Sequence, residues 1–274
     1  MISEYIEYIS SVRGYSPCTC IAYKNALTHF ATWANANLER PRWRDITRHV
    51  IDLYVKDAER QGAAPSTTNQ RLAAIGGLYA YMKREGYRVN NPCEFESRRK
   101  IAVTVPNTIP TEQLRTAYRN SIGVTRVMLG ILITTGIRIS ELMNLQFHDI
   151  DTENNTIKVH GKGAKERVVS IPSEQLVELK AVKEHCNKNG FIFTIPERMA
   201  RKMIHEALKP YCTAPQLSPH AIRHTFATNL AAQGVNVCTI SSILGHEHME
   251  TTQKYIDIAA ARNETANINN SIIK

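Results

Sequence analysis

The sequence contains no C-x-x-C pair, and its six cysteines (Cys18, Cys20, Cys93, Cys186, Cys212 and Cys238) follow no framework spacing. A chain of 274 residues is long enough to bury a core without disulfides. The thiols are therefore expected to be reduced, as in a cytosolic protein. The opening stretch, MISEYIEYIS, has no basic segment ahead of an apolar one, so no signal peptide is expected from it. The longest apolar run, around Val127 to Ile137, is broken by Gly and Thr and is too short to span a bilayer. Internal repeats and low-complexity tracts are absent. The motif G-x-x-x-x-G-K-[ST] is missing, which disfavours nucleotide binding, and H-E-x-x-H is missing, which disfavours a metal site at His246-Glu247-His248. The expectation is a cytoplasmic protein with no membrane partner.

What the chain does have is an excess of positive charge. Its formal net charge is +9, with a pI near 9.3, while the 43% hydrophobic and 22% charged content are ordinary for a globular protein. Residues 1–105 carry 15 Lys+Arg against 10 Asp+Glu, and residues 106–274 carry 19 against 15. A polyanion touching both halves fits this spread better than a single basic tail does, and a basic surface kept for solubility fits it too.

Residues 1 to about 90 read as four helices. The first runs from Glu4 to Val12, before Gly14. The second has Ser16 as N-cap, Pro17 at its first position, and Ile21, Leu27, Phe30 and Trp33 along one face. The third starts at a Thr47 cap, and the fourth runs from Ser66 to Gly86 with Leu72, Ile75, Tyr79 and Met82 in helical period. FESRRKIAVTVPNTIPT then loses all period, so 96–110 reads as a linker between domains 1–95 and 111–274. The second half mixes helix and strand. A buried helix breaks near Thr135-Gly136, NTIKVH-GKGAK-ERVVSI alternates as a β-hairpin, and SPHAIRHTFATNLAAQG is a helix capped by Ser218 and Pro219.

Six side chains in the second half carry chemistry. Arg138, after Gly136 at a helix start, suits an anion, or a salt bridge with Glu141. Lys162 stands at the tip of the hairpin, where it reaches outward or is simply solvated. His220 and Arg223 share a face in the first turn of a helix. There a cation opposes the macrodipole unless a phosphate or a carboxylate joins it. His246 follows Gly245 at a helix end, and Tyr255 lies nine residues further on. Guanidiniums neutralise phosphodiester oxygens without a metal. A phenol attacks phosphorus if a base or cations lower its barrier, and the leaving alkoxide needs a proton donor.

In this order, TTGIRISEL, GKGAKER, HAIRHTFAT and LGHEHMETTQKY resemble the motifs of the tyrosine site-specific recombinases (the phage-integrase family), most closely the bacterial Xer-type members. The match covers the catalytic half, and the N-terminal helices resemble the family's core-binding domain more loosely. The resemblance implies a mostly α, two-domain protein: a four-helix SAM-like bundle, then a mixed α/β catalytic domain with a small antiparallel sheet. It implies Tyr255 as nucleophile forming a 3′-phosphotyrosyl link, Arg138 and Arg223 clamping the scissile phosphate, and Lys162 protonating the 5′-oxygen. His220 would be the general base, His246 would hydrogen-bond the phosphate, and Glu141 would brace the site. No cofactor, metal or ATP is implied. The implied partners are duplex core sites and three further subunits in a tetramer on two DNAs. The segment after Tyr255 would be donated in trans through Ile268, Ile272 and Ile273, and an accessory protein or a partner recombinase fits as well.

Base reading is expected from Lys24, Asn25, Thr67, Thr68, Asn69 and Arg71. Chromosome-dimer resolution, mobile-element integration or excision, and DNA inversion are equally compatible with the chain. A type IB topoisomerase-like enzyme would use the same nucleophile and arginines without a docking tail. A silent DNA-binding regulator would not need all six positions, and a metal-dependent nuclease would need a carboxylate cluster that is absent.

Overall fold

The structure, a computed structural model, describes residues 1–94, 99, 106–161, 165–181, 190–246, 249, 251–257 and 260. The chain divides into two compact units, Met1–Val103 and Thr104–Lys274.

The first unit is a bundle of α1 (Ile2–Ser11), α2 (Pro17–Asn37), α3 (Arg48–Arg60) and α4 (Pro65–Arg84). Capping chemistry sets the starts. The Ser16 hydroxyl accepts from the Thr19 N–H at 3.3 Å, and Thr47 accepts from the Val50 N–H at 3.5 Å. Helix α4 begins one residue ahead of Ser66, because Pro65, with its φ already helical, takes the first position. Leu27, Phe30, Ile51, Tyr54, Ile75, Leu78 and Tyr79 are almost fully enclosed, each worth roughly 1.5–3 kcal/mol of burial. Phe30 meets the Tyr54 ring edge-on, with centroids 5.0 Å apart. Ile21 departs from the expected face: it is 59% exposed, and the smaller Cys20 and Ala26 turn inward in its place.

The second unit is built around α6 (Gly123–Thr135), the apolar run noted above. Helices α5 (Thr111–Asn120), α8 (Ser173–Ala181), α9 (Glu197–Leu208) and α10 (Pro219–Ala232) pack on it. A helix covered on all these sides must be hydrophobic around most of its circumference. Among the described residues no helix is long and apolar enough to cross a membrane. After α6 come the short α7 (Ile139–Met143) and an antiparallel sheet, β1 (Ile150–Asp151), β2 (Thr156–His160) and β3 (Glu166–Ser170), in that order. Val159 pairs with Arg167 and His160 with Glu166, which is the expected hairpin. Ile157 and Val159 face the core while Lys158 and His160 face out. Helix α11 (Val237–Leu244) follows α10, and residues 251–257 are again helical.

Most of the stretch expected as linker, 96–110, lies outside the described residues. Its end belongs to the packing of the second unit: Ile109 is 1% exposed, its N–H donates to the Thr225 hydroxyl at 2.8 Å, and that hydroxyl donates back to its carbonyl at 3.1 Å.

Candidate active site

The site starts from two helix ends. Helix α6 stops at Gly136 (φ +62°) and α11 stops at Gly245 (φ +66°), both in the left-handed region that glycine enters without strain. A helix end leaves carbonyls without intrahelical partners and carries partial negative charge. Three arginines come to those carbonyls. Arg138 donates to Leu244 O at 3.5 Å and to Gly245 O at 3.1 Å, and Arg167 donates to Ile243 O at 2.7 Å. Arg223, 2% exposed, donates to Leu244 O at 2.7 Å and, across the unit, to Gly136 O at 2.9 Å. One carbonyl, that of Leu244, therefore joins the two arginines that the sequence singled out.

Glu141 holds the arrangement from the other side. Its carboxylate caps α7, accepting from the Arg138 N–H at 2.8 Å. It also accepts from the Arg138 guanidinium at 2.8 Å and from both terminal nitrogens of Arg167 at 3.0 and 2.8 Å. Burial alone would raise this carboxyl, but the hydrogen bonds and charges of Arg167 and Arg138 outweigh it and hold the group below the usual carboxylate range. Burial, and then the Arg138 charge, push Arg223 down to about 10, so it remains cationic at neutral pH.

Tyr255 is 2% exposed, and its hydroxyl is 2.6 Å from His224 Nδ1. Burial raises the phenol, while the charges of Arg223 and Arg138 act to lower it. The His246 ring lies parallel to that of Tyr255 with centroids 6.2 Å apart, and its Nδ1 is 2.7 Å from the Thr252 hydroxyl. His220 sets its ring edge-on against His224, with centroids 4.2 Å apart. Desolvation first lowers all three imidazoles; Arg223 and Arg138 follow at His220 and His246, and His220 and then Arg223 at His224, with His224 and His246 brought to about 4. They are neutral near pH 7 and available as hydrogen-bond acceptors.

Arg138 and Glu141, His220 and Arg223, and His246 and Tyr255, from three separate stretches of the sequence, are thus brought together. Lys162 lies outside the described residues. Its described neighbours, Gly161 and Lys165, line the same cleft of about 730 Å³ as Arg138, Arg167 and His246. The sequence reading missed two residues at the site. Arg167 occupies the half-buried register of β3 next to outward-facing Val168, a signal in the strand period. His224 lies four residues after His220, on the same helical face.

The residues expected to read bases divide. Lys24 and Asn25 are exposed on α2. Thr67 and Arg71 are half-buried, and Arg71 stands in the electrostatic reach of Tyr54 and His29. Thr68 must be corrected: it is 1% exposed and its hydroxyl donates back to Ala64 O at 3.4 Å, so it faces the bundle. Asn69 must be corrected as well, since its amide group is occupied by the Arg99 backbone, at 3.0 and 2.9 Å. The anchors expected in the tail, Ile268, Ile272 and Ile273, lie outside the described residues.

Comparison with known proteins places this geometry. Residues 108–262 match the description of the phage integrase family, and residues 2–86 match that of the phage integrase N-terminal SAM-like domain. The tyrosine recombinase XerC of Bacillus pumilus is 28% identical, with 94% of this chain and 92% of the relative covered. The protein of the same name from Thermodesulfovibrio yellowstonii is 27% identical, with 94% and 91% covered. Among solved structures, the XerH site-specific recombinase bound to palindromic difH substrate is 19% identical over 97% of this chain and 84% of that one, with a TM-score of 0.75. A lambda integrase dimer bound to a COC′ core site is 16% identical over 93% and 75%, with a TM-score of 0.71. With more than half of its length matched by the family description and its motifs gathered at one site, the chain belongs to the phage integrase family and is a tyrosine recombinase of the Xer type.

Proposed function

We propose that this recombinase cuts and rejoins duplex DNA by transesterification at Tyr255. The Tyr255 hydroxyl attacks the scissile phosphate, forms a 3′-phosphotyrosyl bond and releases a 5′-hydroxyl, whose oxygen takes its proton from Lys162. Arg138 and Arg223 hold the non-bridging oxygens, His246 hydrogen-bonds the phosphate, and His220 assists proton transfer. Because the ester bond is exchanged for another ester bond, rejoining needs no ATP. The guanidiniums supply the charge stabilisation that a metal supplies elsewhere.

The observation that carries this reading is the buried Tyr255 hydroxyl in the field of Arg223 and Arg138, whose tips share the Leu244 carbonyl. The reaction runs in a synapse of four subunits on two core sites, in the cytoplasm, with the segment after Tyr255 donated to a neighbouring subunit. Its end is chromosome-dimer resolution or the integration, excision or inversion of a DNA segment. The test is a nicked suicide duplex, incubated without divalent metal, with wild type and Tyr255→Phe. A denaturant-resistant adduct from wild type alone is the expected outcome. Cleavage by Tyr255→Phe, or a requirement for metal, overturns the reading.

A further inference from the structure

The roles assigned above leave out the imidazole nearest to the reacting atom. His224 Nδ1 is 2.6 Å from the Tyr255 hydroxyl, and among the described residues no other side chain is hydrogen-bonded to it. His220, the residue assigned to proton transfer by resemblance, meets the edge of the His224 ring instead. Tyr255 is 2% exposed, so bulk water is not at hand to take its proton. The hydroxyl also lies in the electrostatic field of Arg223 and Arg138, the two arginines assigned to the phosphate.

We propose that His224 is the proton acceptor for the Tyr255 nucleophile. As the phenolic oxygen bonds to phosphorus and the P–O5′ bond breaks, the hydroxyl proton passes to His224 Nδ1. When a 5′-hydroxyl later attacks the phosphotyrosine, the imidazolium returns that proton to the departing phenol. His220 then acts through His224, by packing on its ring. The inference rests on the recombinase reading and refines it at one step.

The surroundings suit an acceptor that stays unprotonated until substrate arrives. His220 and Arg223 face it from its own helix, Tyr255 from residues 251–257, and His246 from the turn after α11. Burial first, then His220 and Arg223, hold the ring at about 4, so its lone pair is free at neutral pH. A phosphodiester anion entering among these groups raises the proton affinity of the imidazole. Bonding to phosphorus makes the phenol a stronger acid at the same moment.

The experiment uses the full chain and a suicide duplex nicked in the core site that wild type selects from genomic fragments. Single-turnover adduct formation is followed from pH 6 to 9.5 for wild type, His224→Asn and His224→Phe. Asparagine keeps a hydrogen-bonding atom near the place of Nδ1 but accepts no proton, and phenylalanine keeps the volume. Both variants are expected to bind DNA as wild type does and to form adduct about 10²–10⁴-fold more slowly at neutral pH. The deficit should shrink by up to about tenfold per pH unit as the phenol begins to ionise unaided. A 5′-bridging phosphorothiolate, whose sulfur leaves without a proton, should rescue neither variant.

Adduct formation by His224→Asn within about threefold of wild type overturns the proposal, because the bond then only positions the phenol. Rescue by the phosphorothiolate also overturns it, by moving the role to the leaving group. If His224→Phe fails to fold, the asparagine variant decides alone. Failure of wild type to form adduct on any fragment is a different result and overturns the recombinase reading itself.

Discussion

Among the described residues, buried polar side chains are distributed unevenly between the two units. The first unit buries Thr68, while the second buries Glu141, Asp149, Gln175, Arg223, Thr225 and Thr252, among others. The first is held by interlocked aromatic and aliphatic side chains, whose removal from water scales with area and specifies no reaction. The second encloses the carboxylates of Glu141 and Asp149 and the guanidinium of Arg223, groups that lose hydration on burial and are compensated by hydrogen bonds. Stability and chemistry are thus carried by different parts of the chain, and substitutions should separate them.

The largest effect is expected at Phe30→Ala, which removes a ring sealed between Trp33, Trp43 and Tyr54. Denaturant unfolding of the first unit should lose about 3–5 kcal/mol, while adduct formation per folded, DNA-bound molecule stays unchanged. A matching loss of chemistry would break the comparison. Arg223→Ala should do the reverse in kind, slowing adduct formation by about 10²–10³-fold in single-turnover assays. Arg223→Lys should recover little of it, since an ammonium cannot bridge Gly136 O and Leu244 O with the geometry of a planar guanidinium.

Next is Gly245→Ala. Its backbone is left-handed, and a new Cβ would stand 3.1 Å from a terminal nitrogen of Arg167. A loss of about 1–3 kcal/mol in thermal unfolding is expected, together with slower cleavage as Arg167 and Glu141 shift. Acid should distinguish the units more gently. His224 and His246 sit near 4 when folded and near the ordinary histidine value when unfolded, so the unfolded chain binds more protons between those limits. Stability of the second unit should therefore be full above about pH 6.5 and fall as the pH drops towards 4. His224→Asn with His246→Asn should flatten that fall in a melting series. The smallest effect is expected at Lys24→Ala, on the exposed face of α2. The salt slope of DNA binding should drop by about one phosphate contact, with cleavage of bound DNA unaffected.

Much of the fold was legible because its signals are local. Ser16-Pro17, Thr47 and Ser218-Pro219 start helices by hydrogen bonds and torsions that a few residues determine. Ile21 and Thr68 were misplaced because periodicity gives a face but not which neighbour fills it: small Cys20 and Ala26 packed where a larger residue was expected, and Thr68 turned inward. The four motifs named Arg138, Glu141, His220, Arg223, His246 and Tyr255, which the structure gathers in one place, and Lys162, which lies outside the described residues. How they are held was legible only in part: Glu141 was named as the brace, but the other partners of Arg138, Arg167 and Arg223 are backbone carbonyls, which every sequence has in equal number. Arg167 itself was hidden in the hairpin motif beside Lys162, the residue that drew attention first.

The convergence of these guanidiniums on the end of α11 has an evolutionary corollary. What the arginines touch is independent of the side chains the helix bears, so the outer face of α11, with Cys238 and Thr239 exposed, is free to drift in sequence. Its length is not free. Inserting or deleting one residue would turn the terminus by about 100° and shift it by about 1.5 Å, carrying all three anchor carbonyls out of register together. The helix acts as a gauge block: indifferent to what is written on it, intolerant of a change in size.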